Sequence, residues 1–144
     1  MEQNIPVGCP EGYGLNMILM PKDDGYNFYI MTGANKSGII PFGNDYLFMT
    51  DDSGNIQSWK RFHSRLIALD SKGPNGAVAR EMIHSHLKAE PFITASDICT
   101  FMLYGKLCGQ RSFQVLSTDL GKYLRYRLDM NTIEIEIEDK KNEC

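Results

Sequence analysis

Turn chemistry constrains this chain more than any other feature of it. Clusters of Gly, Pro, Asp and Asn stand at Pro21-Lys22-Asp23-Asp24-Gly25, Asp51-Asp52-Ser53-Gly54-Asn55, Lys72-Gly73-Pro74-Asn75-Gly76 and Thr118-Asp119-Leu120-Gly121. These residues supply positive φ, a fixed φ or local side-chain hydrogen bonds, which is what turns require. The runs between them are short and rich in aromatic and β-branched residues, so they read as strands. Residues 13–20 and Tyr26 to Thr32 form one expected hairpin, with Asp24-Gly25 as its strongest turn element. Tyr46 to Thr50 and Ile56 to Phe62 form a second. Residues 33–45 read as loop with a short extended piece at Ser37 to Pro41. Leu66 to Leu69 suits a strand or a helical turn equally. Further strands are expected at Val78 to His84, Ser112 to Ser117, Lys122 to Leu128 and Thr132 to Ile137. Only residues 94–107 fit a helix: Thr94 is a natural N-cap, Asp97 sits at the capping-box position, and Ile98, Phe101, Met102 and Leu107 give an apolar stripe. The expectation is an α+β fold with a strand-rich, mixed or antiparallel sheet and one helix.

Size and composition suit a single folded domain over 1–144, with residues 1–10 as an irregular lead-in and 139–144 as a tail. A chain of 144 residues buries about two thirds of its unfolded surface without needing staples. Its 42% hydrophobic and 23% charged content is ordinary for globular proteins. The net charge is -3, and the cations Lys122, Arg125 and Arg127 are interleaved with Tyr and Leu as in a strand. Binding of nucleic acid by bulk electrostatics is therefore not expected. The four cysteines, Cys9, Cys99, Cys108 and Cys144, form no C-x-x-C pair, so no zinc knuckle is expected. Cys99 and Cys108 read as buried apolar residues. Met17, Met20, Met49, Met82 and Met102 read as core filling, and Trp59 as sheet packing. No secretory h-region opens the sequence and no apolar run approaches the ~18 residues of a membrane span. The default expectation is a cytoplasmic protein that does not meet a membrane; export as an effector is also compatible.

Two of the three histidines lie two residues apart, as His84-Ser85-His86. On a strand, residues i and i+2 share a face, so both imidazoles can reach one ion. A connecting segment, LKAEPFI, leads to Thr94 and then to Asp97 in the first turn of the expected helix. Two imidazoles and one carboxylate leave a fourth tetrahedral position open, the pattern of a catalytic zinc site rather than a closed structural one. The same donor set also suits Fe(II) and other divalent ions. The remaining histidine, His63, reads as an ordinary surface or half-buried residue.

The run His84-Ser85-His86, seven residues, Thr94, two residues, Asp97 resembles the JAMM (JAB/MPN) motif, H-x-H, seven residues, Ser, two residues, Asp. The hairpin at Asp24-Gly25-Tyr26 looks like that of bacterial JAB-like domains of the polymorphic-toxin type. The resemblance implies a JAB/MPN-like fold with a cytidine-deaminase-like core. It implies zinc held by His84, His86 and Asp97, and hydrolysis of a peptide or isopeptide bond in a peptide or protein substrate. Thr94 stands where the family has Ser, which implies a hydroxyl donor to the oxyanion. The family's upstream general base is matched best by Glu11, in Glu11-Gly12-Tyr13-Gly14. Glu81 has the parity of Ile83 rather than of the histidines, and Glu90 lies in the connecting loop.

Other readings fit the same residues. Two histidines at a strand end can be hydrogen-bonded and metal-free. Thr94 and Asp97 can be a capping box with no further duty. A Glu near a terminus beside Gly is often a solvated loop residue. The alternative function is an inactive JAMM-like module for binding or scaffolding.

Overall fold

A computed structural model describes residues 7–136. Residues 1–6 of the expected lead-in, Ile137 of the last expected strand, Cys144 and the expected tail 139–144 lie outside the described residues. The chain parts into two compact units between Leu69 and Asp70. It is α+β, with strand-rich, mostly antiparallel sheets and, among the described residues, one α-helix.

The first unit holds β1 (Tyr13–Lys22), β2 (Gly25–Ala34), β3 (Ile39–Gly43), β4 (Tyr46–Thr50), β5 (Ile56–Arg61) and β6 (Leu66–Asp70). Four of them form an antiparallel sheet in the order β1-β2-β4-β5, and β3 pairs with β6 in a second, two-stranded sheet. The segment that suited strand or helical turn is thus strand. The first hairpin turns one residue earlier than its Asp-Gly step suggests: Lys22 pairs with Gly25, leaving Asp23 and Asp24 as the loop. Gly25 has φ 137°, and a Cβ there would overlap the Thr50 carbonyl oxygen. Its glycine serves a close backbone approach as well as the turn. Pro21 lies in β1, at the end of the sheet order, where a missing N–H is tolerated.

Ile30, Tyr46 and Phe48 form a buried cluster with Val7, Leu15 and Phe28 packed against it. Phe48 lies between Tyr46 and Trp59, with ring centroids 6.2 Å away on each side. The second hairpin turn is organised by Asp51. Its Oδ1 accepts from the Ser53 and Asn55 amides at 3.0 and 2.8 Å, and its Oδ2 accepts from the Asn55 side chain at 3.0 Å. These donors, Asn55 foremost, hold the Asp51 carboxyl below its ordinary range.

The second unit holds β7 (Met82–His86), α1 (Ala95–Tyr104), β8 (Ser112–Ser117), β9 (Lys122–Arg127) and β10 (Thr132–Glu136). The sheet order is β10-β9-β8-β7, antiparallel except for the parallel pair β7 and β8. A parallel pair needs a long crossover, and the segment carrying α1 supplies it. One face of the sheet carries Met82, His84 and His86 from β7, Phe113 and Val115 from β8, and Leu124 and Tyr126 from β9, all buried. Phe101 of α1 closes on this face, its ring centroid 5.0 Å from that of Phe113 and 6.2 Å from that of Tyr126.

Several expectations need correcting. β7 begins at Met82 rather than Val78; Val78 makes only an isolated bridge to Lys72, because Pro74 and the positive-φ residues Asn75 and Gly76 break the preceding chain. Of the five methionines read as core filling, Met17, Met20 and Met102 are exposed, whereas Met82 is buried. Met17 and Met20 lie on β1, and Met102 lies off the buried face of α1. Cys99 and Cys108 are half-buried free thiols, and partial burial pushes the Cys99 thiol up. No helix among the described residues is long and apolar enough to cross a membrane.

Candidate metal centre

β7 alternates strictly: Met82, His84 and His86 are buried, and Ile83 and Ser85 are exposed. The pleat therefore puts both imidazoles on the face that meets α1, as a two-residue spacing requires. The centre lies at the carboxyl end of a parallel strand and at the amino end of a helix. That is where open α/β sheets collect ligands and where the helix dipole stabilises a carboxylate.

Thr94 is the N-cap of α1. Its hydroxyl oxygen accepts from the Asp97 amide at 3.1 Å, and its own amide donates to Asp97 Oδ2 at 3.1 Å. The capping box is present in full, yet it does not use up the Asp97 side chain. Asp97 Oδ1 lies 3.2 Å from His84 Nε2, and Oδ2 lies 3.1 Å from His86 Nε2. The two Nε2 atoms are 3.1 Å apart. Capping and facing the histidines, which compete on paper, are compatible because one carboxylate has about four lone-pair sites.

The surroundings fix the two imidazoles. His86 Nδ1 lies 2.7 Å from the Phe92 carbonyl oxygen. A carbonyl only accepts, so Nδ1 carries the proton and, in the neutral ring, the Nε2 lone pair points at the cluster. Such an outer hydrogen bond is the usual companion of a metal-bound histidine. The His86 carbonyl accepts from the Thr118 amide at 3.1 Å and from the Thr118 hydroxyl at 2.9 Å, which pins the end of β7. The His84 ring stacks on Phe113, 14° from parallel with centroids 5.9 Å apart. That contact ties His84 directly to the hydrophobic core of the unit.

The donor set passes a simple metric test. Zinc bonds of about 2.0–2.1 Å in tetrahedral geometry put neighbouring donors about 3.3 Å apart. The three separations in the cluster are 3.1, 3.1 and 3.2 Å. His84, His86 and Asp97 are all buried and are within reach of one ion. The chain matches no family model, no curated protein and no solved structure.

Glu11, Glu81 and Glu90 are not part of this donor cluster. Glu11 is exposed, in the turn that leads into β1 of the first unit. Glu81 is exposed; it accepts from Gln114 and pairs with Arg125 at 2.9 Å. Both partners alternate with the core-facing residues of their strands, so Glu81 belongs to the opposite face of the sheet, as its parity requires. Glu90 lies half-buried in the loop between His86 and Thr94, where its amide donates to the Leu87 carbonyl at 3.0 Å. His63 differs from expectation. It is buried in the first unit, with Nδ1 2.7 Å from Asp45 Oδ1 and its amide donating to the same oxygen at 3.1 Å. A partner 18 residues away in sequence leaves no local signal, so the pair was not legible beforehand. Ser96 was also missed. It is buried, and its hydroxyl lies 2.9 Å from that of Thr94.

Proposed function

We propose that this protein is a zinc-dependent hydrolase of the JAMM (JAB/MPN) kind, acting on a peptide or isopeptide bond, with His84, His86 and Asp97 as the metal ligands. The carrying observation is the convergence of three buried donors at tetrahedral spacing. With His86 neutral, its Nε2 lone pair faces a carboxylate oxygen, which is also an acceptor. A metal ion shared by the two atoms relieves that opposition. Two imidazoles and one carboxylate form a borderline donor set that suits zinc and leaves a position for water.

When bound, zinc supplies Lewis acidity, bringing a coordinated water to a pKa of about 7 and polarising a carbonyl. The chain's own residues do the rest. His86 is oriented by the Phe92 carbonyl, and His84 by its stack on Phe113. Asp97 is held by the Thr94 amide, so the ligand set is pre-organised before metal arrives. The family resemblance assigns Glu11 the general-base role, taking a proton from the attacking water and passing it to the leaving amine. It assigns the Thr94 hydroxyl the role of donor to the oxyanion, worth roughly 3–4 kcal/mol of barrier in a well-built site. The JAB/MPN assignment rests on the H-x-H, seven-residue, Thr-x-x-Asp spacing and on the β7-to-α1 connection that carries it.

The test is metal content by mass spectrometry on purified protein, wild type beside His86→Ala. The expected result is about one zinc per chain in the wild type and none in the variant. Zinc-free wild type after zinc is added back and free metal removed would overturn the metal site, and the binding-module reading would replace the enzyme. With zinc established, Glu11→Gln is expected to abolish hydrolysis while leaving zinc content unchanged.

A further inference from the structure

We infer that the four-stranded sheet of the first unit carries a docking groove for an extended peptide segment of a partner protein, one that combines bulky apolar side chains with a lysine or arginine. All residues of the groove belong to the first unit, and none of them takes part in the proposed hydrolysis. Strand register builds it. Leu19, Phe28, Phe48 and Trp59 are cross-strand neighbours in one row that runs through all four strands, so their side chains share a face of the sheet. The next row on that face, nearer the turns, pairs Tyr26 with Thr50 and Thr50 with Ile56. These rows wall a cavity of about 580 Å³ lined by Leu19, Tyr26, Phe28, Phe48 and Ile56, a volume within the roughly 300–1,000 Å³ of ligand sites. Phe48 is buried, but Leu19 and Ile56 are 60% and 43% exposed. Contiguous apolar side chains left open to solvent mark interaction surfaces. The open walls also decide the kind of occupant. A small molecule is roughly 70–90% buried in its pocket, which walls this exposed do not provide. An extended chain laid on the face needs no such enclosure, because alternate side chains reach the apolar surface.

Charge sets the rest of the partner's chemistry. Both hairpin turns lie at the same end of the sheet, Asp23 and Asp24 in one and Asp51 to Asn55 in the other, where Gly25 packs on the backbone of Thr50 and Asp51. Asp24 is paired with Lys22 at 2.8 Å, and Asp51 spends both oxygens on its own turn. Asp52 lines the cavity, is exposed, and pairs with no cation among the described residues. The groove is thus apolar along the strands and negative at one end. A lysine or arginine complements that end, whereas the anionic surface of a membrane is repelled by it.

The test is calorimetric titration of the full chain in EDTA, which prevents metal-dependent cleavage of the probe. One probe is an acetylated peptide amide that alternates leucine with serine and ends in two lysines; the other ends in two glutamates instead. The lysine peptide is expected to bind saturably and about tenfold more tightly than the glutamate peptide, with the difference shrinking as salt rises. Leu19→Ser and Ile56→Ser change exposed side chains, so Tm is expected to stay unchanged while each weakens the lysine peptide about tenfold, the scale of burying one such side chain. Asp52→Lys is expected to invert the preference between the two peptides. Binding that ignores Leu19→Ser and Ile56→Ser would place the peptide elsewhere and overturn the groove. Equal affinity for the two peptides, or none for either, would overturn it as well. So would a dimer in analytical ultracentrifugation that Leu19→Ser dissolves, because a second copy of this chain would then be the occupant. With EDTA present throughout, none of these outcomes bears on the zinc-hydrolase reading, which is decided by metal content.

Discussion

Asp97 is the residue on which the candidate centre turns, because it belongs to two systems at once. Its Oδ2 accepts from the Thr94 amide and faces His86, while Oδ1 faces His84. Asp97→Asn separates the two duties. The amide oxygen can still accept from Thr94, so the helix start survives, but the negative charge that completes the donor set is gone. The expected outcome is a near-wild-type circular dichroism spectrum with zinc affinity reduced by more than the roughly 10–100-fold that outer-shell changes cost. A competition titration against a chromophoric chelator measures it, and unchanged affinity would remove Asp97 from the ligand set. At this scale the convergence of His84, His86 and Asp97 was legible because the signals are local: a two-residue spacing on a strand, and a cap three residues from a helix N-terminus. The outer partners were not. The Phe92 carbonyl is a backbone group, and Ser96 is only a small polar residue until the fold buries it.

At the scale of elements, α1 is the piece whose orientation the sequence misstates. Its apolar residues suggest a stripe through Ile98, Phe101, Met102 and Leu107, but Met102 and Leu107 are exposed. The buried face is Ser96, Asp97, Thr100 and Phe101. Patterns of apolarity cannot find this face, because three of its four residues are polar, and one of them, Asp97, faces the histidines. Phe101 is the fully buried hydrophobic anchor of the helix, packed against Phe113 and Tyr126. Phe101→Ala is therefore expected to cost about 3–5 kcal/mol in urea unfolding and to weaken zinc binding as α1 loses its seat on the sheet. A loss below about 1 kcal/mol would mean that the helix is held by its cap and not by this ring. The strands were easier to read. β4 and β8 end at the expected residues because turn residues flank them, whereas the late start of β7 was missed because nothing local distinguishes Val78 to Arg80 from a paired strand.

For the whole molecule, the proposed function links metal binding to folding. The donors come from β7 and α1 and converge only when α1 is docked on the sheet, so the unfolded chain offers no comparable site. Zinc is therefore expected to raise Tm in calorimetry. Zinc at 100 times its dissociation constant stabilises the state that binds it by about 2.7 kcal/mol. The gain should vanish on adding EDTA and be absent in His86→Ala; a Tm indifferent to zinc would contradict a site built from the folded state. The same linkage divides what the residues announced from what the fold added. By itself the sequence determined the α+β class, most strand positions, the one helix with its capping box, and the three candidate ligands, all of which rest on contacts within a few residues. Tertiary structure alone decided that one carboxylate can cap the helix and face both imidazoles. It also decided that His63 is buried on Asp45 and that a serine hydroxyl meets Thr94. These depend on where strands distant in sequence pair and on which face of a helix docks, and both are set by the packing of the core rather than by any local run of residues.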